Sequence, residues 1–244
     1  MSADLPARVT DIWVYLSAGP LLWLTLTLLA YALADFIAFK AGRNPLASPV
    51  AMSTAILVTL LVATGTSYET YFAGAQFIHF LLGPATVALA VPLYRNLPRV
   101  RAALLPMGAA LLAGSVTAIV LAVLIAGVLG APRDILASLA PKSVTTPIAM
   151  SLAEALGGIP TLAAVLVLIT GIFGGSVVTP LMNSLGITDP QARGFAAGLA
   201  AHGIGTARAF QVNSVAGAFA GIAMSLNGAL TAMILPLLAH MWGP

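Results

Sequence analysis

Long apolar runs fill most of this chain, and they limit what it can fold into more than any other feature. Of its 244 residues, 60% are hydrophobic and 7% are charged, whereas about 25% of a soluble domain is charged. A helix that spans a bilayer needs about 20 apolar residues. Runs near this length occupy residues 21–39, 49–63, 76–94, 102–129, 135–157, 160–185, 192–210 and 215–242. The sequence therefore predicts an all-α polytopic membrane protein with about eight crossings, built as a single transmembrane domain over residues 1–244.

Two of these runs are interrupted by polar segments that break helices. The lysine segment, residues 141–147, reads PKSVTTP, and the histidine segment, residues 202–208, reads HGIGTAR. Inside a membrane, broken backbone persists only where protein or a water-filled cavity satisfies the freed N–H and C=O groups. Cations at such depth mark functional sites by default. Both segments are therefore candidate binding sites, on helices that either span the membrane with a break or return as re-entrant hairpins.

The lysine segment has the groups that bind a carboxylate. Pro141 and Pro147 lack an N–H, and Pro147 disfavours helical backbone at the preceding residue, which predicts an unwound stretch between them. A half-helix starting at Ile148 would then present free N–H groups and the positive end of its dipole. Lys142 adds a full charge. Hydroxyl donors come from Ser143, Thr145 and Thr146, and one of the two threonines is the predicted N-cap. The alternative is a plain loop whose lysine reaches the membrane surface.

The histidine segment supplies a second group of candidate ligands. Gly203 and Gly205 allow positive φ or a close approach of the backbone to a ligand, and Thr206 adds a hydroxyl donor. His202 and Arg208 would not share a face of one continuous helix, so a break at the glycines is needed to bring them together. Since the charge of histidine changes near neutral pH, His202 is the candidate for carrying a proton. The alternative is a short turn in which Arg208 is a cytoplasmic anchor.

Composition and motifs argue against other classes of protein. The net charge of +3 is spread over many loops, which is typical of membrane orientation and not of nucleic-acid binding. With no cysteine and three histidines, the sequence predicts no metal site and no cofactor. The Walker loop, the dinucleotide fingerprint and the His-Glu-x-x-His motif are all missing from the sequence. We therefore do not expect an enzyme, and a Ser143–Lys142 dyad is the catalytic alternative.

Three weaker features complete the sequence-based predictions. The Gly83-Pro84 pair breaks a third helix, either as a proline kink or as a wall of a cavity. Asn227 is read as an interhelical hydrogen bond in the last run. Sliding the chain by 61 residues places residues 114–116 on residues 175–177. These identities involve common residue types, so internal repeats are compatible with the sequence but not established by it.

At these motifs the chain resembles the LrgB/CidB (YohK-type) membrane protein family. The residues that carry the resemblance are 82–94 (LGPATVALAVPLY), 141–149, 157–160 (GGIP), 201–208, 217–219 and 224–228. Together they extend over most of the chain. The family has long carried a holin-like label, as a regulator of murein hydrolase export and autolysis beside a small LrgA-type partner. Its plant relative is similar to a plastidal glycolate/glycerate translocator, and some bacterial members look like pyruvate carriers.

The resemblance and the residues together lead to one expected function. We expect a secondary transporter of small monocarboxylates, glycolate or glycerate first and pyruvate or lactate next, working by proton coupling or exchange. In this prediction Lys142 anchors the carboxylate, while Gly203, Gly205 and Thr206 form the opposing wall. Arg208 is a second cationic contact or a gate. We expect a homodimer in the bilayer of a bacterial inner membrane. The alternative is a holin-like protein that regulates murein hydrolases with an LrgA-type partner.

Overall fold

The computed structural model describes residues 19–44, 47–81, 84, 87–88 and 90–239, and every regular element in these residues is an α-helix. The chain divides into two compact units, Met1–Ala88 and Leu89–Pro244. The first unit contains α1 (Pro20–Lys40), α2 (Pro49–Thr64) and α3 (Tyr68–Phe80). The second contains α4 (Ala90–Arg95), α5 (Leu97–Ala102), α6 (Leu104–Val128), α7 (Arg133–Leu139), α8 (Thr146–Ala155), α9 (Pro160–Ser184), α10 (Pro190–Val212) and α11 (Ser214–Ala239).

The first unit packs around the buried indole of Trp23 on α1. The ring of Tyr71 on α3 meets this indole edge-on, with ring centroids 5.9 Å apart. The Thr27 hydroxyl donates to the Trp23 carbonyl at 2.7 Å and lies 3.3 Å from the Tyr71 hydroxyl. At the other end of α1, Arg43 forms an ion pair with Asp35, and both side chains are partly exposed. The contacts of Tyr71 with Trp23 and Thr27 hold α3 against α1.

The prediction of about eight crossings is not confirmed. In the part of the chain that the structure describes, four helices are long and apolar enough to cross a membrane: Leu21–Lys40, Leu104–Val128, Pro160–Ser184 and Ser214–Leu238. The run at residues 135–157 is divided into helices of 7 and 10 residues, each far shorter than the hydrocarbon thickness of about 30 Å. The run at residues 76–94, with the Gly83-Pro84 break, falls partly outside the described residues.

Helices α6 and α11 run in the same direction through the second unit. One cluster contains Met107 from the start of α6, Phe219 from the start of α11 and Val100 from α5. A second cluster contains Ile119 and Leu235 from the later parts of the same two helices. Near the first cluster lie the arginines of α5, Arg99 and Arg101, so we call this the basic end of the unit.

Helix α9 runs in the opposite direction, and this makes the lysine segment the tip of a re-entrant hairpin. The last turns of α9 reach the basic end, where Arg193 at the start of α10 donates to the carbonyl of Thr179 and the side chain of Asn183. Helix α6 leaves the basic end and α9 returns to it. The chain between them, residues 129–159, therefore starts and finishes at the far end. This segment, α7 and α8 with the lysine segment between them, is the lysine hairpin.

Helix α10 is a second hairpin that enters from the basic end. Its backbone is not helical at Ala201 (φ −126°, ψ 18°) and His202 (φ 41°, ψ −129°). Beyond this break the chain folds back, because Gly205 lies against the carbonyl of Ala197 and Ala209 packs in one cluster with Ala197. The run at residues 192–210 therefore returns to its own side. We call α10 the histidine hairpin.

Small residues let the histidine hairpin pack closely on α11. A methyl group at Gly194 would overlap the carbonyl of Ala216, and one at Gly198 would overlap the carbonyl of Ala220. These glycines are four residues apart and so lie on one face of the helix. In lipid, where burial of apolar surface gives no drive between helices, such close backbone approach supplies packing energy. The same face positions the break at Ala201 beside the middle of α11.

In the second unit, a long helix is followed by a hairpin twice: first α6 and the lysine hairpin, then α9 and the histidine hairpin. The two pairs run in opposite directions. Both spanning helices, α6 and α9, have 25 residues. His202 follows Lys142 by 60 residues, close to the offset at which weak sequence identities occur. An inverted repeat of this kind brings two hairpins from opposite sides to one level.

Candidate functional site

The tips of the two hairpins meet at the side chain of Asn227, in the middle of α11. Its amide nitrogen donates to the carbonyl of Ser143 in the lysine segment at 3.0 Å and to the carbonyl of Leu199 in the histidine hairpin at 3.2 Å. Its oxygen accepts from the Ser115 hydroxyl of α6 at 2.6 Å and from Thr231 at 3.4 Å. Asn227 is 1% exposed. One amide therefore links four parts of the second unit at the level of both breaks.

Lys142 lies at the tip of the lysine hairpin and is partly buried. Its ammonium donates to the hydroxyl of Ser143 at 3.3 Å, while Ser143 itself is 7% exposed. Ser143, the residue after Lys142, and Leu199, three residues before His202, accept hydrogen bonds from the same Asn227 amide nitrogen. The structure therefore brings the tip of the lysine hairpin to the tip of the histidine hairpin, although 60 residues separate Lys142 from His202.

The lysine segment leads into a half-helix as its prolines predict. Residues 140–145 are not helical, and α8 begins at Thr146, two residues before the predicted start. Thr145 is the N-cap by its extended backbone, φ −67° and ψ 149°, but its side chain makes no capping bond. The N–H groups in the first turn of any helix lack an intrahelical acceptor. Together with the hydroxyls of Thr145 and Thr146, these groups can receive an anion.

The backbone break of the histidine hairpin falls at Ala201 and His202, and not at the glycines. Among the described residues, Arg43 and His202 are the non-glycine residues with positive φ. The His202 angles resemble the first central position of a type II′ turn, which glycine normally occupies. A larger residue there costs about 1–3 kcal/mol and persists where its surroundings enforce it. The interpretation of Gly203 and Gly205 as the hinge is therefore corrected.

The contacts of His202 determine which ring nitrogen carries a proton. Its Nε2 lies 3.0 Å from the carbonyl oxygen of Val167 on α9. A carbonyl can only accept, so Nε2 is protonated, and Nδ1 has the free lone pair when the ring is neutral. The ring is 5% exposed and packs on Gly171, where a methyl group would lie 2.6 Å from Cε1. His202 can take up a second proton only at Nδ1.

The remaining residues of the histidine segment have distinct surroundings. Gly203 is exposed, and a methyl group there would meet Met224 Sδ at 3.9 Å. Gly205 packs against the carbonyl of Ala197. Thr206 donates its hydroxyl to the carbonyl of His202 at 2.8 Å. Gly205 therefore lets the two arms of the hairpin approach each other, Thr206 bonds within the returning arm, and Gly203 leaves open space beside the break.

Arg208 lies at the base of the histidine hairpin and not at its tip. It shares a small cleft with Arg193, Thr179 and Gly194, and it donates to the side chain of Gln211 at 3.4 Å. Six helical residues separate it from His202, about 9 Å along the axis. A break at the glycines would have joined the two side chains. Because the break precedes His202, both residues belong to the same returning helix and stay apart.

A cavity of ≈460 Å³ lies between α6, α10 and α11. Asp189 and Gln191 line it where α10 begins, and Gly114 and Leu199 line it at mid-depth. Leu199 contributes one of the carbonyls that Asn227 binds. The cavity therefore extends from the basic end to the level of the hairpin tips.

Sequence reasoning identified Asn227 as an interhelical hydrogen bond, which the structure confirms, but not its partners. Two of them are backbone carbonyls, whose positions follow from the path of the chain and leave no pattern in residue types. Ser115 was singled out by the repeat offset alone. An asparagine in an apolar run therefore predicts a buried polar contact, but the sequence does not show which groups the asparagine binds.

Comparison with known proteins identifies relatives over nearly the whole chain. The profile described as the LrgB-like family matches residues 27–241. The uncharacterized protein YwbG of Bacillus subtilis is 36% identical over 215 residues, covering 88% of this chain and 95% of that protein. The holin-like protein CidB of Staphylococcus epidermidis is 30% identical over 224 residues, covering 92% and 96%. The antiholin-like protein LrgB of Bacillus mycoides is 26% identical over 219 residues, covering 89% and 95%. No solved structure matches the chain.

Proposed function

Because this chain belongs to the LrgB-like family and its polar groups meet at two opposed hairpin tips, we propose that it is a secondary transporter of small monocarboxylates. Glycolate and glycerate are the first candidates, and pyruvate and lactate the next. The observation that carries the proposal is the position of Lys142 just before the start of α8, at a tip that Asn227 joins to the histidine hairpin. A helix N-terminus and an ammonium group together bind a carboxylate.

The charge and the donors of the site favour a small ligand with a single negative charge. Lys142 is the cation at the tips, since Arg208 lies at the hairpin base. The Thr145 hydroxyl is not used as a helix cap, so it can bind the hydroxyl group of a short hydroxy acid. One ammonium balances one carboxylate, whereas a dicarboxylate would leave a buried negative charge unpaired.

His202 is the proposed proton carrier. Its Nε2–H is held by the Val167 carbonyl, which leaves Nδ1 to take up a proton and return it. Glycine at this backbone position would relieve the strain of positive φ, yet a histidine occupies it. A side chain kept at a strained position supports a role for the side chain itself.

Two alternating conformations fit the opposed hairpins. A site between inverted repeats is reached from one side at a time when one repeat moves against the other. Arg99 and Arg101 favour the basic end as the cytoplasmic side, and the cavity between α6 and α10, which extends to Leu199, is the proposed route from the cytoplasm. In this proposal the protein resides in a bacterial inner membrane.

The names of the relatives favour a second candidate function. CidB is named a holin-like protein and LrgB an antiholin-like protein. This chain would then regulate murein hydrolases or membrane permeability, together with an LrgA-type membrane partner. A permeabilising protein needs a wide polar surface, whereas the polar contacts at the tips are gathered around Asn227 and Lys142.

Uptake of labelled glycolate into liposomes with the purified protein separates the two candidates. The transporter predicts saturable uptake that Lys142→Ala abolishes. Lys40→Ala is the matched control, because Lys40 is the chain's other lysine and lies at the end of α1. Release of a trapped dye of several hundred daltons would instead support the holin-like function. Uptake that Lys142→Ala leaves intact would contradict the assignment of the site.

A further inference from the structure

The second unit contains one side chain whose hydrogen bonds reach both hairpin tips. The amide nitrogen of Asn227 has two hydrogens, and each acceptor within reach is a backbone carbonyl, of Ser143 and of Leu199. Since carbonyls only accept, the orientation of the amide is determined by its partners. The amide oxygen of Asn227 accepts from the hydroxyls of Ser115 and Thr231. All four hydrogen-bonding positions of Asn227 are therefore used.

Both carbonyls belong to backbone that the breaks deprive of regular helical bonding. Leu199 lies in the last turn before the break at Ala201, where the carbonyls of a helix lose their intrahelical donors. Ser143 lies in the unwound lysine segment, next to Lys142. Asn227 replaces a missing N–H donor at each break. It does so from α11, a helix that belongs to neither hairpin.

We propose that Asn227 is a positioning residue that couples the two hairpin tips, so that a ligand at Lys142 alters the position of His202. Moving the Ser143 carbonyl pulls on an amide whose other hydrogen is bound to the Leu199 carbonyl. Leu199 is three residues from His202, across the break. The ligand-binding part of this inference rests on the proposed transport function, while the mechanical link between the tips does not.

Ser115→Ala is a matched control for changes at Asn227. Ser115 is 1% exposed and belongs to the same hydrogen-bond network, but it contacts neither hairpin tip through that bond. Its loss leaves both donors of the Asn227 amide in place. Asn227→Leu has a similar volume and removes both donors. Ser115→Ala removes one hydrogen bond of the network and Asn227→Leu removes four, so Ser115→Ala shows how the network responds when both tips stay attached.

Hydrogen–deuterium exchange of the purified protein without ligand tests the link directly. Asn227→Leu should raise exchange at residues 141–146 and at residues 199–206 by about five- to tenfold, the population shift expected when a buried hydrogen bond is lost. Ser115→Ala should change both by less than about twofold. A rise at one tip only, or equal rises in both variants, would overturn the coupling role.

A second arm adds sodium glycolate. In the unmodified protein, protection of residues 141–146 should be accompanied by protection of residues 199–206, and Asn227→Leu should retain only the first. If glycolate protects neither segment and is not taken up, the proposed substrate is wrong, yet exchange without ligand still decides the coupling. If Asn227→Leu does not fold, Asn227→Ser replaces it, because a hydroxyl has one hydrogen and keeps at most one tip attached.

Discussion

The imidazole of His202 occupies the space beside Gly171 that a side chain on α9 would need. A methyl group at residue 171 would lie 2.6 Å from Cε1 of His202 and 2.7 Å from Cδ1 of Ile204. Glycine at this point of α9 is therefore a condition for the histidine hairpin to insert. The tip of the histidine hairpin thus depends on the glycine at position 171 of α9.

Gly171→Ala should destabilise the second unit by about 1–3 kcal/mol, because the ring and Ile204 must move out of a packed interior. It should also weaken the contact between His202 Nε2 and the Val167 carbonyl, and reduce uptake. Thermal unfolding in detergent measures the first effect. Gly127→Ala is the control: nothing lies within 4 Å of its added methyl group, so its stability should be unchanged or slightly higher. Equal effects of the two substitutions would contradict the packing described for α9.

Gly198→Ala should be more damaging than Gly171→Ala. Its methyl group would overlap the backbone carbonyl of Ala220, and a helix backbone cannot turn aside as a side chain can. We expect a loss of at least about 3 kcal/mol, at the upper end of overpacking effects. The yield of monodisperse protein and its melting temperature report this. Gly108→Ala is the control and should behave as the unmodified protein, because the space around its added methyl group is open. If Gly198→Ala also behaved as the unmodified protein, the close contact between α10 and α11 would be contradicted.

Ser138→Ala should loosen the lysine hairpin where it joins α9. The buried Ser138 hydroxyl donates to the Asp134 carbonyl at 2.6 Å and accepts from the Ile159 N–H at 2.7 Å. Removing it leaves two backbone groups without this partner, at an expected cost of about 1–3 kcal/mol. Ser184→Ala, which removes an exposed hydroxyl bonded to Leu181, should have no measurable effect on unfolding. Similar melting temperatures for both variants would argue against the hairpin junction.

His202→Gln should separate the structural role of this residue from proton coupling. Glutamine can still donate to the Val167 carbonyl but cannot take up a proton near neutral pH. We expect a folded protein whose glycolate uptake no longer responds to an inward proton gradient. Uptake at several external pH values, with and without an ionophore, measures this response. A variant that keeps the full response would remove His202 from the coupling step.

Local chemistry predicted the position of the break in the lysine segment but not that in the histidine hairpin. The two prolines of the lysine segment predict the unwound stretch, and α8 begins within two residues of the predicted start. The break of the histidine hairpin precedes both of the glycines at which it was predicted, because glycine is the usual residue at positive φ and here histidine takes that conformation. Packing against Gly171 overrides the local preference.

The number of crossings was less predictable for a physical reason. An apolar run of about 20 residues is equally compatible with one spanning helix and with two half-helices that return to the same side. Residues 135–157 and 192–210 have this length, yet each is part of a hairpin. Only neighbouring helices, α9 and α11, show on which side each hairpin begins and ends.

By itself, the sequence determined that this is a helical membrane protein, which two apolar runs are broken, and most of the polar groups that lie near the breaks. These properties follow from composition and from the local chemistry of proline, glycine and charge. The tertiary structure decided that the two breaks are opposed hairpin tips, that Asn227 holds them together and that Arg208 stays apart. Such relationships depend on the direction of each helix and on backbone carbonyls brought close by packing, neither of which is written in the types of the residues.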